Sequence, residues 1–510
     1  MTRDSTAPSP AGEPPEPGVA LGAEPESEPE SVPGAPAEVP LPADAARRAE
    51  VAAAAPPCPS GIELTKLDPD ALKVVHRLLQ HGHQAYLVGG CVRDLLLDKT
   101  PKDFDVATSA HPGEVRAIFR NCRLIGRRFR LAHVYFKGGK IIEVSTFRAN
   151  PTEVEEAQAE LEQGVQAEQG EEAEAAEVAE PGEPAGDGAA EAAAAVEEDL
   201  LITQDNVFGT AEQDARRRDF TMNGLFYDAA TASVIDYVRG RRDLDERQIR
   251  TIGDPEVRMR EDPVRILRAV RFACKLGLDI ESRTYAAMEG AVEDLPRCAP
   301  PRLLEETFRL IRGGVASPAL RLLRALDALQ VLVPPIDAFL RQGGAEGEAA
   351  FFAHADALDR RVARGAPLDD AVLLAALLVP IARAAPPTEP AEEGGRPVVA
   401  RAIEGLLSEL VRTARLPRRI GERCRLILVS QRVLSGERRR RGPVGAFRAN
   451  PVFADALTVF AITADATGQY AEQLELWNSG GAPEPLPTAE RPPGRKRRRR
   501  RGRGGAPPAP

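Results

Sequence analysis

Three stretches of this sequence have almost no large apolar residues. Residues 1–57 are mostly Pro, Ala and Glu; 152–199 are Ala, Glu, Gly and Gln; 480–510 are Pro, Gly and Arg. Such compositions bury too little apolar surface to offset chain entropy, so all three are expected to be disordered. Cysteine is scarce as well. The six residues, at 58, 91, 122, 274, 298 and 424, form no pair with zinc-ligand or redox spacing. Reduced thiols in a cytosolic protein are therefore expected. No apolar run reaches about 18 residues and the N-terminus has no signal-peptide core, so neither a membrane span nor export is expected. The scattered histidines offer no metal cluster, and His81 and His83 read as helix-end surface residues. There is no G-x-x-x-x-G-K-[ST] and no G-x-G-x-x-G, which removes P-loop and dinucleotide sites.

The net charge of −10 hides a strong asymmetry. Residues 1–50 carry ten acids and three bases, and 153–199 carry seventeen acids and no base. The rest of the chain is +14, nine of those charges lying between positions 491 and 503. A mildly basic folded part with a strongly basic tail favours a polyanionic partner.

What remains divides into two halves. Asp68-Pro69-Asp70 opens a helix, with Leu72, Val75, Leu78 and Leu79 at helical spacing and Gly82 to end it. "AYLV" (85–88) is a short buried strand, Gly89-Gly90 a turn, and "VRDLLL" (92–97) a short helix. "KDFDVAT" (102–108) reads as a strand with alternating faces, and Pro112 starts a helix to about Arg120. "CRLI", "AHVYF" and "IIEVSTF" are strands, the last two joined by the hairpin signal Lys137-Gly138-Gly139-Lys140. From Glu261 to about Trp477 the pattern is helical, as in "EDPVRILRAVRFACKLGL", "RLLEETFRLIRGG" and "LRLLRALDAL". The expected fold class is α+β. A small mixed-sheet head (61–250, interrupted by the acidic insert) precedes a helical neck (251–335) and a helical body (336–480).

Chemistry concentrates in the head. In a strand, residues two apart share a face, so Asp103 and Asp105 would project together with Phe104 opposite. Paired carboxylates repel unless a cation lies between them, and magnesium bound by one or two carboxylates completes its shell with water and substrate phosphates. Glu143 is a charge inside an otherwise apolar strand and is a candidate third carboxylate. Taken alone, D-x-D also fits a solvated strand face. Gly89-Gly90, after a strand and before a helix, can bring backbone N–H groups close to phosphate oxygens, with Arg93 on the first turn within reach. Taken alone, it also fits a plain tight turn. Asp262 and Arg265 can share a helical face, where a carboxylate accepts from an exocyclic amino group and an arginine donates to ring acceptors. An exposed ion pair is the alternative. Arg217, Arg218 and Asp219 in "RRRDF" fit either substrate ligands or a solvated charge cluster.

Together these segments carry a resemblance. "LVGGCVRDLLLDKTPKDFDVAT" (87–108) is similar to the signature of the class II tRNA nucleotidyltransferase and bacterial poly(A) polymerase superfamily. "RRRDFTMNGLFYD" (216–228) resembles its ribose- and triphosphate-holding block. "EDPVRILRAVRF" (261–272) resembles its base-reading helix, and 235–255 the connector between them. The match covers 61–148 and 205–335. "RLIGRRFRLAHVYF" (123–136) resembles the segment typical of the poly(A) polymerase branch. tRNA-specific relatives usually lack the Arg-Arg-Phe-Arg-Leu-Ala-His run.

The resemblance implies template-independent transfer of AMP from ATP to RNA 3′-hydroxyl ends. Asp103 and Asp105 would hold two magnesium ions, with manganese as a substitute, and Glu143 would assist. Gly89, Gly90 and Arg93 would hold the triphosphate. Arg217, Arg218, Asp219 and Asn223 would be nucleotide ligands, with the inward-facing arginine undecided. Asp262 and Arg265 would read adenine in place of a nucleic-acid template. CCA or A addition to tRNA is the alternative, and a non-catalytic RNA-binding protein the further one. "FAHADALD" offers one histidine, so no His-Asp phosphohydrolase activity is expected.

Overall fold

The computed structural model describes residues 58–59, 61–126, 130–149, 207–365, 367–384, 398–438 and 442–483. All belong to the unit that begins at Ala55. The stretches expected to be disordered lie outside the described residues except for 480–483, and so do Arg127, Arg128 and the basic run 491–503.

Eight strands form one mixed sheet: β1 (Cys58–Pro59), β2 (Ala85–Val88), β3 (Asp105–Thr108), β4 (Cys122–Ile125), β5 (Leu131–Tyr135), β6 (Ile141–Thr146), β7 (Leu225–Asp228) and β8 (Ser233–Asp236). Their order is β1-β8-β7-β2-β3-β6-β5-β4. Every neighbouring pair is antiparallel except β3 with β6. The β5–β6 hairpin turns through Gly138 and Gly139, both at φ +78°, and Phe136 N–H closes it on the Lys140 carbonyl at 2.8 Å. Glycine alone adopts that backbone without strain.

The alternation of each strand sorts its side chains between two faces. Leu87, Val106, Val144 and Ala132 point into the main core with Val74, Val75 and Leu78 of helix α1 (Pro69–Gln80). Helix α1 starts as its sequence implies: Pro69 occupies the first turn, and Asp68 accepts from the backbone N–H of Asp70 and Ala71. The opposite face carries a second, small cluster in which Val88, Ala107, Phe147 and Phe226 pack with Ala211 and Ala215 of helix α4. Helices α2 (Gly90–Leu96), α3 (Pro112–Ile118) and α4 (Ala211–Arg216) complete the head with the short α5 (Gly240–Asp245).

The acidic insert leaves after Ala149 and returns at Val207 on adjacent backbone. Ala149 N–H donates to Val207 O and Gly209 N–H to Phe147 O, each at 3.0 Å, flanking the Arg148–Phe208 bridge.

The second half is helical from α6 (Pro255–Glu261) to the helix Ala471–Asn478. Helix α7 (Val264–Leu276) buries Val264, Ile266, Leu267, Ala269, Val270 and Phe272, each large aliphatic among them contributing about 1.5–3 kcal/mol on full burial. Gly277, at φ +68°, ends it. Helices α8 (Ser282–Gly290) and α9 (Pro300–Arg312) follow. Trp477 is fully buried and its indole N–H reaches Leu434 O at 2.9 Å, which seals the end of the body. Cys91, Cys122, Cys274, Cys298 and Cys424 are free thiols. Among the described residues no helix is long and apolar enough to cross a membrane.

The sequence reading needs two corrections here. "KDFDVAT" is not strand throughout, because β3 begins at Asp105. Its antiparallel partner β2 stops at Val88, opposite Asp105, where the chain turns through Gly89, so residues before Asp105 lose their pairing on that side. Asp103 therefore sits in the loop entering β3, while Phe104 packs against the main core as expected. Nor is "EDPVR" one helix. Asp262 lies between α6 and α7 at φ −148°, ψ 83°, because the residue before a proline is pushed out of the helical region.

Candidate active site

The paired residues of successive strands build one row on the small-cluster face: Phe226, Val88, Asp105, Glu143 and His133. Asp105 and Glu143 are direct partners across the single parallel pairing, so both carboxylates rise from the same face. Glu143 lies 3.4 Å from His133 Nε2. Burial pushes the Asp105 carboxyl up to about 6, helped by the negative charges of Glu143 and Asp103 and opposed by Arg218. Asp103 thus joins the group through space although it is not on the strand.

Arg218 is the arginine that faces this row. Its guanidinium lies 5.2 Å above the Phe226 ring. A β-carbon on Gly89 would come within 2.8 Å of its Nη1, and Gly89 holds φ at +70°. The turn therefore needs glycine for backbone and for space. Arg218 donates from Nε (3.3 Å) and Nη2 (2.9 Å) to Asp214 Oδ2, and from Nη1 to Asn223 O at 3.3 Å. Arg217 donates from Nε to Asp214 Oδ1 at 3.0 Å.

Arg93 is buried, with its Nη2 3.6 Å from where a Gly90 β-carbon would stand. It donates to Asn223 Oδ1 at 2.7 Å and to Asp94 at 2.6 Å. Asn223 in turn donates to Asp219 Oδ1 at 2.9 Å, and Arg268 of α7 to Asp219 Oδ2 at 2.7 Å. Despite burial, Arg268, Asn223 and the Phe220 N–H hold the Asp219 carboxyl down at about 2. This chain of bonds ties α2, the "RRRDF" block and the neck together.

Asp262 and Arg265 do not bond to each other. Asp262 accepts from Arg302 at 2.6 Å. Arg265 is buried, bonded to the Arg258 carbonyl and 3.3 Å from Glu261 Oε2. Arg258 also donates to Glu261 at 2.7 Å and to the carbonyls of Arg217 and Arg218 at 2.7 and 2.9 Å. Asp214, Arg258 and Arg268 were not singled out from the sequence. Asp214 had a signal, a D-x-x-R-R spacing on a helix; the other two act across elements and had none.

Among the described residues, no three His, Cys, Asp or Glu side chains stand preassembled around a metal position. The donor chemistry nevertheless fits a divalent ion. Oxygen ligands converge, and Asp105 carries a repulsion that a cation would remove.

The glycine turn, the neighbouring Asp105 and Glu143 carboxylates and Arg218 thus stand together on one face of the head. The family model described as the poly(A) polymerase head domain matches residues 85–250, and one described as the probable RNA and SrmB-binding site of polymerase A matches 277–340. Poly(A) polymerase I of Salmonella typhimurium is 39% identical over 359 residues, covering 69% of this chain and 70% of that one. A CCA-adding enzyme of Geobacillus stearothermophilus is 34% identical over 254 residues, covering 50% of this chain and 52% of that one. The crystal structure of the Bacillus stearothermophilus CCA-adding enzyme with CTP superposes with a TM-score of 0.51 at 24% identity, covering 81% of this chain and 82% of that one, a likeness of fold alone. The chain belongs to the bacterial poly(A) polymerase family. Members of this family are nucleotidyltransferases that use ATP and divalent metal.

Proposed function

We propose that the protein is a cytoplasmic polynucleotide adenylyltransferase that transfers AMP from ATP to RNA 3′-hydroxyl ends and releases pyrophosphate, in mRNA processing and decay. The observation that carries the site assignment is the register of Asp105 with Glu143, on one face beneath Arg218 and the Gly89 turn. The triphosphate lies over Gly89 and Gly90, its oxygens met by backbone N–H groups and Arg218, with Arg217 and Arg93 adding positive charge. Asp219 and Asn223 hold the ribose side, and Asp262 with Arg265 reads adenine. Glu261 and the Arg258 carbonyl fix the Arg265 guanidinium in one orientation.

Asp103, Asp105 and Glu143 would hold two magnesium ions, or manganese in their place. When bound, these supply Lewis acidity that lowers the pKa of the attacking hydroxyl and neutralises charge on the leaving group. The 3′-oxygen attacks the α-phosphorus, the bond to the β-phosphate oxygen breaks, and pyrophosphate departs. The head spans 61–250, the neck 251–335 and the body 336–480. The last two, with the basic tail, grip the RNA backbone without reading its sequence.

The test offers ATP alone, then CTP with ATP, to a generic RNA and to a tRNA lacking its CCA end. Long adenylate tails on the generic RNA are expected. Addition that stops after one to three residues on tRNA alone would replace this reading with CCA or A addition. Asp103→Ala or Asp105→Ala should lower AMP incorporation by roughly 10³-fold or more while RNA affinity stays within about twofold.

A further inference from the structure

Asp214 is the most enclosed carboxylate near the site, 1% exposed, and it lies one layer behind the groups proposed to touch nucleotide. It stands on α4, a helix that no part of the proposed reaction uses directly. Its two oxygens divide their work. Oδ1 accepts from Arg217 Nε at 3.0 Å and from the Arg148 backbone N–H at 3.2 Å. Oδ2 accepts from Arg218 through Nε at 3.3 Å and Nη2 at 2.9 Å.

That two-donor grip on one oxygen decides which part of Arg218 is free. With Nε and Nη2 turned back to Asp214, the remaining nitrogen, Nη1, is directed over the glycine turn. It lies 2.8 Å from where a Gly89 β-carbon would be, and its hydrogen-bond partner among the described residues is the Asn223 carbonyl at a long 3.3 Å. Two donors held on one carboxylate oxygen restrict how the planar guanidinium can turn. A second clamp acts on the backbone, where Arg258 holds the carbonyls of both arginines from α6.

We propose that Asp214 is a positioning residue that aims Arg218 Nη1 at the polyphosphate of the incoming nucleotide. The inference rests on the reading of Gly89-Gly90 as the phosphate turn. Asp214 touches no substrate. It acts by fixing the orientation of a donor that does, so its loss is felt by phosphate and not by base or RNA. It also answers the question the sequence left open: of the two arginines, Arg218 meets the phosphates, and Arg217 neutralises the other half of the same carboxylate.

Asp214→Asn keeps the shape and removes the charge. The probes are inorganic tripolyphosphate and adenosine, each titrated by calorimetry against the full chain with Mg²⁺, beside KM for ATP and RNA affinity. Tripolyphosphate binding and the ATP KM should weaken together by about tenfold, the size of one charge-assisted hydrogen bond, while adenosine and RNA binding stay within about twofold. Asp214→Glu, which keeps the charge but shifts it by one methylene, should show the same phosphate-selective pattern at smaller size. It serves as the assay if the Asn variant melts too low. Unchanged tripolyphosphate binding, or equal loss of all three ligands, would overturn the assignment. Failure of the proposed activity is separable, because tripolyphosphate binding is read without any AMP transfer.

Discussion

Two half-buried aspartates of the head are shifted in opposite directions by their neighbours. Asp105 meets other carboxylates, Glu143 beside it and Asp103 nearby, and its carboxyl is raised to about 6. Asp219 meets Arg268, Asn223 and a backbone N–H, and its carboxyl is held at about 2. Burial costs both, yet at Asp219 the protein supplies the compensating partners and at Asp105 it does not. The first arrangement is a finished brace between head and neck. At Asp105 the repulsion is left for a cation to relieve, as the proposed metal site requires, whereas the charge of Asp219 is already met within the protein.

The contrast can be broken most forcefully at the brace. Asp219→Ala removes the nearest partner of the half-buried Arg268 guanidinium, leaving it Glu306 at 3.7 Å, and should cost about 3 kcal/mol, read as a lowered denaturant midpoint at pH 7. Since its folded pKa lies below the ordinary 3.8, Asp219 contributes fully above that value and loses its contribution as pH falls from about 4 through 2. The variant and the wild type should therefore converge in acid; a constant gap down to pH 2 would contradict the brace.

Asp105 has the opposite sign. Its folded pKa lies above 3.8, so its contribution is most favourable below about pH 4 and is lost as pH rises through about 6. In chelator at pH 8, Asp105→Asn should be more stable than wild type by up to about 3 kcal/mol, the equivalent of about two pK units. Adding Mg²⁺ should raise the melting temperature of the wild type and leave the variant unmoved. A wild type indifferent to Mg²⁺ would count against a cation at this row.

The smallest effect is expected at the turn both regions share. Gly89→Ala forces a side chain into positive φ and onto Arg218 Nη1, and should cost about 1–3 kcal/mol of stability. The displaced guanidinium should also raise the KM for ATP, and a purely structural penalty would leave that KM unchanged.

Much of this was legible in the chain before folding. The Asp68-Pro69 helix start, the glycine hairpin between β5 and β6, and the apolar spacing of α7 depend on neighbours in sequence, and periodicity reports those. The position of Asp103 was not legible, because strand length depends on the partner: β2 ends opposite Asp105 and leaves the residues before it without an antiparallel neighbour. The break at Asp262 was legible in principle from Pro263, but the helical spacing on either side masked it. Asp105 opposite Glu143, and Arg268 against Asp219, are products of tertiary register, which no local pattern encodes.

The backbone bridge at Arg148 and Phe208 has a practical consequence. It ties the two ends of the insert together, so the entropy of closing that loop grows only slowly with whatever length of chain lies between. The head thus has a splice point at which cargo, a fluorescent reporter or an affinity handle, can be exchanged for residues 150–206 without re-registering the sheet. The Arg148 N–H at this bridge also rests on Asp214, so such a graft would sit one hydrogen bond away from the carboxylate that anchors Arg218.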